Sequence, residues 1–435
     1  MSSPRKLRRL IGLLAVAVVA TSAPAALMGG ASAAPKDEYR QGDVILIEKN
    51  KDFDRAHGVI KGSGSQAHPY IISGWRLNHL EIHDTSRWVE IYDNQVTGQM
   101  ILNWVGDRVN VYDNMVADLR VNQNIPRKGL PTSGKIVNNT FGRVGQLRHW
   151  NGLFAWNVVG NPDGSRSRQA MNFDGFNGGR LYKNIFYGYI DATLHGHNHS
   201  SSFADTSHDH RGRTSGKNIH RLRYHQVYIE NNRVFSTNTY AIRYTDQNHA
   251  ANDRTAASET DERLNEPHVH FTNVFIRENK LEGAGIFVDV FNADDPRHIR
   301  TTRGHFMIQG NLIQLADDTR AFTSWLDGIL VERATDIDLH IAENTILGAP
   351  PTPQAERNIF DDLFGGSQGA GIRLGQVDKG DLYIHDNRVT RRPFGVHATN
   401  FSDSVDWWIT NLRTKDVGQR VYYDESVAHE PNRDR

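Results

Sequence analysis

Hydrophobic and polar positions alternate along this chain in short runs that recur. WVEIYDNQVTG (residues 88–98), RVNVYDNMVAD, GKIVNNTFGRV, GLFAWNVVGN, GRLYKNIFYGY, VYIENNRVFST, VFIRENKLEGA, FMIQGNLIQLA, LHIAENTILGA and LYIHDNRVTRR share one template. An apolar residue is followed by two variable positions, Asn, one variable position and a further apolar residue. Alternation with period two predicts strands with one buried face. The recurring residues are Asn94, Asn114, Asn139, Asn157, Asn184, Asn232, Asn279, Asn311, Asn344 and Asn387. Their early spacing of roughly 20 to 25 residues, later lengthened by insertions, predicts a solenoid of stacked parallel strands. Asn suits the corner of each coil, because it tolerates left-handed backbone and its amide can bond both its own turn and the Asn of the next coil. The expected fold is all-β, a right-handed parallel β-helix with an Asn ladder, and the Asn residues are structural.

At this point the repeats resemble those of right-handed parallel β-helix proteins, the superfamily that includes pectate lyases. The segment GSGSQAHPYIISGW, residues 62–75, is similar to the start of secreted β-helix repeats of the periplasmic copper-binding type. The resemblance spans residues 62–413 and implies a fold; this scaffold carries many chemistries, so activity has to come from a site. The short signature motifs of the well-known pectin lyases and polygalacturonases are not found.

The chain of 435 residues has a formal net charge of +0 and 38% hydrophobic residues, which suits a sizeable core and argues against nucleic acid or an anionic membrane as partner. Its first 33 residues, with a basic start, an apolar run from Leu10 to Ala20 and small residues at Ala31 to Ala33, read as a secretory signal peptide. Loss of Arg5, Lys6, Arg8 and Arg9 with it would leave a mildly acidic mature chain. The expected organisation is signal peptide 1–33, N-terminal cap 34–61, β-helix with loop insertions 62–418 and charged tail 419–435: a secreted monomer without a membrane span. With 0 Cys there are no disulfides or thiolate metal sites, and with 6 Met copper binding is disfavoured.

A second strand series lies between the Asn strands and carries the candidate chemistry. Aligned on a small residue followed by an apolar one, it predicts an outward column of Arg120, Arg148, Asn172, Thr193, Arg243, Phe287, Leu330, Arg373 and His397. A neighbouring column holds Asn122, Trp150, Asp174, His195, Thr245, Asp289, Glu332, Gly375 and Thr399. Coils about 4.8 Å apart turn these columns into a ladder as long as several sugar rings. The irregular stretches 198–224, 247–267, 292–303 and 347–368 flank it and are expected to wall a groove. Within the His-rich segment 194–225, His195, His197 and His199 alternate, a weak metal-ligand spacing.

Three readings follow, all with a polysaccharide as partner. A lyase acting on a uronic-acid polymer needs the substrate carboxylate neutralised, a base for the C5 proton and an acid for the leaving oxygen. Arg148 and Arg243 suit the first task and His195, with Tyr240 or His197, the second; Trp150, Asn172 and Asp174 line the same ladder as substrate contacts. A salt bridge from Arg243 to Asp174 or Asp289 is its structural alternative. A glycoside hydrolase would use Asp289 and Glu332, expected on successive coils near the separation of about 5 to 5.5 Å of a retaining pair. The third reading is a glycan-binding protein without catalysis, with Trp150 and His195 as its sugar platform. No cofactor is required by any of them, although a divalent cation such as calcium would fit between stacked acids. The lyase comes first, because the central coils mix Arg and His with the acids.

Overall fold

The computed structural model describes residues 39–105, 108–122, 134–175, 179–194, 224–247, 270–291, 302–316, 326–335, 337–348, 369–423, 426–427 and 430–432. The segment read as a signal peptide lies outside them, as does most of each long insertion. The molecule is a right-handed parallel β-helix: every named strand pairing is parallel, and successive coils add one strand to each face. One face is a sheet of 12 strands running from Tyr70–Ser73 to Val405–Thr410. The other two faces join into a 20-stranded sheet, because in several coils one long strand bends around the edge. Thr140–Trp150 is such a strand, with a register shift between Val144 and Gln146 where it bends.

Packing follows from the alternation. In the 12-stranded face Ile72, Ile91, Val111, Ile136, Phe154 and Leu181 pair coil on coil and are all buried. At about 25 cal/mol per Å2 of apolar surface removed from water, such columns supply the main stabilisation of a chain without disulfides. Outward rings stack as well, Tyr228 on Phe275 at 4.9 Å and Tyr383 on Trp408 at 4.6 Å. No helix among the described residues is long and apolar enough to cross a membrane.

The ladder is continuous through the Asn residues read from the sequence. Each Nδ2 donates to Oδ1 of the next Asn, from Asn94 to Asn114 at 3.0 Å through to Asn344 to Asn387 at 3.0 Å. The same Nδ2 also donates to a backbone carbonyl of the preceding coil, as Asn184 does to Phe154 at 3.0 Å. One detail differs from expectation. The left-handed residue is not the Asn but the one before it: Asp93, Asp113, Asn138, Trp156, Lys183, Asn231, Glu278, Gly310, Glu343 and Asp386 all have positive φ. The left-handed residue turns the chain, which leaves the Asn side chain pointing inward to satisfy the backbone groups the corner exposes.

Candidate functional site

The outward column of the third face is largely as the sequence suggests. Asn172, Asp191, Arg243, Phe287, Leu330, Arg373, His397 and Tyr422 pair in succession. Asp191, not Thr193, occupies the place on its coil; Thr193 instead lies opposite Thr245. Thr193 thus takes the place expected of His195, and His195 and His197 themselves lie outside the described residues. Asp174 belongs to the strand Gln169–Gly175, but its side chain is outside the description. Arg148 pairs with Asn122 rather than in the column of Arg120, whose partner is Gln146.

Two expectations are corrected by bulges. Trp150 is not an outward platform: it is 2% exposed and belongs to the core, because a register shift between Leu147 and Trp150 rotates it inward. Its indole N–H meets no acceptor among the described residues. Asp289 and Glu332 do not stack as a carboxylate pair either. A shift between Val288 and Asp289 sets Asp289 opposite Arg333 and leaves Glu332 exposed in solvent. Arg333 then grips the buried Asp289 as a fork, Nε to Oδ1 at 2.7 Å and Nη2 to Oδ2 at 2.6 Å. A carboxylate so occupied is a structural anchor rather than a nucleophile. Arg243, for its part, lies over the ring of Phe287 at 6.0 Å.

A third bulge assembles something the sequence did not reveal. In the strand Tyr240–Gln247 the register shifts between Tyr240 and Ile242, so Ala241 and Ile242 are both buried while Tyr240 and Arg243 both emerge on the outer face. Tyr240 packs against Phe287 on the next coil, ring centroids 4.5 Å apart. Burial pushes the phenol up to about 12, helped by the negative charges of Asp327 and Glu332 and opposed by Arg243. A protonated phenol, a guanidinium, an aromatic ring and an exposed carboxylate thus share one patch across neighbouring coils.

Behind it stands Asp327, which sequence reading missed. It precedes the aligned motif GILVE by one residue and is buried at 5% exposure, accepting the Ala370 N–H at 2.5 Å and Arg373 Nε at 2.9 Å. Burial raises its carboxyl even though Arg373 and Arg392 draw it down. The interactions of Asp327 fix Arg373 in the outward column. At the other end of the face Glu81 accepts hydrogen bonds at 2.9 Å from His79 Nε2 and 2.6 Å from His83 Nε2. Burial would raise Glu81, and the two imidazoles hold it below its usual value. Among the described residues no group of three or more His, Asp or Glu is placed to hold a metal ion.

Neither family models, nor curated proteins, nor solved structures give a match to this chain.

Proposed function

We propose that this chain is a secreted, carbohydrate-active β-helix of the pectate-lyase-like kind that cleaves a uronic-acid polysaccharide by β-elimination across the patch of Tyr240, Arg243 and Phe287. The observation that carries the reading is the bulge that turns Tyr240 and Arg243 outward together beside Phe287. Arg243 pairs with the substrate carboxylate and so acidifies the neighbouring C5–H. A base takes that proton; the C–H electrons become the C4–C5 double bond, and the C4–O bond breaks. His195, next in sequence after the strand Tyr189–Leu194, is the proposed base. Tyr240, held protonated, donates its proton to the leaving oxygen. Phe287 offers an apolar surface to a sugar ring.

A second reading, binding without cleavage, draws support from one observation: Asp289 and Asp327, the buried acids of this face, are each locked onto an arginine. Hydrolysis by Asp289 and Glu332 would lack the stacked pair it was expected to use. The test is to incubate the protein with uronate-containing and neutral polysaccharides, reading absorbance of unsaturated products and reducing ends together. Unsaturated product from a uronate polymer is the expected result. Reducing ends without unsaturation refute elimination, and tight binding with neither product favours the second reading.

A further inference from the structure

We infer that Trp156, with Tyr182 and Lys183, forms a second saccharide site, separate from the Tyr240 patch, that holds an anionic sugar unit of the polymer. Its ligand class rests on the preceding proposal; its geometry does not. Trp156 is 51% exposed, one of three large apolar residues so exposed among the described residues, the others being Val44 and Leu46 near the N-terminus.

The position of Trp156 makes that exposure informative. It is the left-handed corner residue before Asn157, with φ of +54°. The corresponding corners on other coils hold Asp, Asn, Lys, Glu or Gly. Left-handed backbone disfavours a bulky aromatic residue that has no short polar side chain to bond its own turn. The corner therefore does not call for tryptophan, and the core does not hold it. An outlier of this kind directs attention to function.

The surroundings define what would bind. Along the 12-stranded face outward rings stack face to face, as Tyr92 does on Tyr112, Tyr228 on Phe275 and Tyr383 on Trp408, and cover one another. Trp156 instead meets Tyr182 edge-on, centroids 5.9 Å apart at 84°, and keeps half its surface in water. The backbone fixes the pair, since Trp156 N–H donates to the Tyr182 carbonyl at 3.2 Å. Two cations flank it: Arg180 lies 4.7 Å and Lys183 Nζ 5.1 Å from the Tyr182 ring centre. Arg180 is held by Glu230, whereas Lys183 makes no ion pair among the described residues. The half-exposed indole suits the C–H face of a pyranose, and the Lys183 ammonium over the adjoining Tyr182 ring suits a carboxylate or sulfate on the same saccharide. The shared chemistry is a flat sugar carrying a negative charge.

Trp156→Asn tests it, because Asn already occupies this corner as Asn138 and Asn231. Wild type and variant are run through gels containing a uronate polymer, a sulfated glycan or a neutral galactan, with melting temperature measured alongside. The expected result is retention of the wild type by an anionic polymer, weakened about tenfold in Trp156→Asn, with a melting temperature equal to or above that of the wild type. Lys183→Asn should weaken retention by the anionic polymer and leave the melting temperature alone. Whichever of uronate and sulfate retains the wild type better identifies the anion. Equal retention of wild type and Trp156→Asn, equal retention by the neutral polymer, or a lowered melting temperature in Trp156→Asn would each overturn the inference. Product formation by the wild type is scored separately, so a protein retained through Trp156 that forms no unsaturated product refutes the elimination proposal and leaves this one standing.

Discussion

Asn184→Ala measures what the ladder contributes. Asn184 is 1% exposed and takes part in four side-chain hydrogen bonds: it donates to Phe154 O at 3.0 Å and Asn232 Oδ1 at 2.9 Å, and accepts from Asn157 N at 2.9 Å and Asn157 Nδ2 at 3.1 Å. Alanine removes all four. The loss is not four full penalties, because Asn157 Nδ2 keeps Ile136 O at 2.9 Å and Asn232 Oδ1 keeps the Asn184 backbone N–H at 3.0 Å. The Asn157 N–H loses the acceptor shown for it, which by itself costs about 1 to 3 kcal/mol for a buried donor. Adding the weakened remainder gives an expected loss of about 3 kcal/mol. Asn184→Asp sharpens the test: it keeps the shape but points oxygen at the Phe154 carbonyl and Asn232 Oδ1, so it should cost at least as much as alanine. Asn231→Gly, at the left-handed corner just before the ladder and bonded outward to Glu278 at 2.8 Å, is the control and should cost less than about 1 kcal/mol, because glycine accepts that backbone. The assay is urea unfolding followed by both tryptophan fluorescence and far-UV circular dichroism, since a stacked-coil array need not unfold in one step. A loss below about 1 kcal/mol for Asn184→Ala, or an Asn184→Asp protein as stable as the wild type, refutes this reasoning.

Trp150→Ala should destabilise by about 3 to 5 kcal/mol, read as a large fall in melting temperature, because the ring fills the core. Asp118 accepts from Arg143 Nη2 at 2.9 Å, the Gly145 N–H at 3.1 Å and Arg120 Nε at 3.2 Å; burial pushes its carboxyl up, but these partners bring it below its usual value. Its stabilisation is therefore present at neutral pH and disappears as the pH falls through that lowered value; Asp118→Asn should cost about 2 kcal/mol at pH 7, little at low pH, in paired denaturation curves. Tyr240 should titrate near 12 in an ultraviolet difference spectrum that Tyr240→Phe abolishes. The folded state favours its neutral form, so the matching stability is full below the ordinary phenol value and is lost as pH rises toward 12. In product assays Tyr240→Phe should lower turnover by about 10^2- to 10^4-fold with binding retained; unchanged turnover would remove Tyr240 from the chemistry.

The fold was legible because its determinants are local and repeated. Period-two alternation around a fixed Asn requires only counting, and each Asn read from the sequence takes its place in one ladder. The role of that Asn was half read: its amide bonds were foreseen, but the left-handed turn belongs to its neighbour, where Asp93, Lys183 and Glu278 share no residue type for a motif search to find. The outward column of Arg243, Phe287, Leu330 and Arg373 was legible for the same reason as the ladder. Thr193 was set two places off on a strand without a bulge, beside the insertion that follows it; most other misplacements fall at bulges. Trp150, Glu332 and the partner of Asp289 were misplaced because one inserted residue reverses which side chains face out, and alternation of apolar residues does not register it.

Bulges are also where the candidate chemistry gathers, and the geometry of a solenoid explains why. A regular coil offers one outward side chain every second residue, and the same place on the next coil is a whole strand spacing away. Tyr240 and Arg243, an odd number of positions apart, would face opposite sides of a regular strand; only the shift at Ile242 brings both to the surface. The same device works in the opposite direction at Arg333, where it delivers a cation onto the buried Asp289 and removes that acid from the outer face. Corners are the other free positions, since a left-handed turn needs only a backbone conformation and leaves its side chain in solvent, which is where Trp156 stands. The ladder and the core columns therefore fix the coil, while bulges and corners choose what it presents. Deleting the extra residue should therefore keep function: without Ala241, Tyr240 and Arg243 are two positions apart, Tyr240 stays opposite Gly285 and Ile242 opposite Ile286, and both side chains face out from a regular strand with Ile242 and Tyr244 in the core. The expected protein keeps an intact ladder and still forms unsaturated product. A folded deletion protein that forms none would show that the bulge itself, and not only the outward placing of Tyr240 and Arg243, assembles the site.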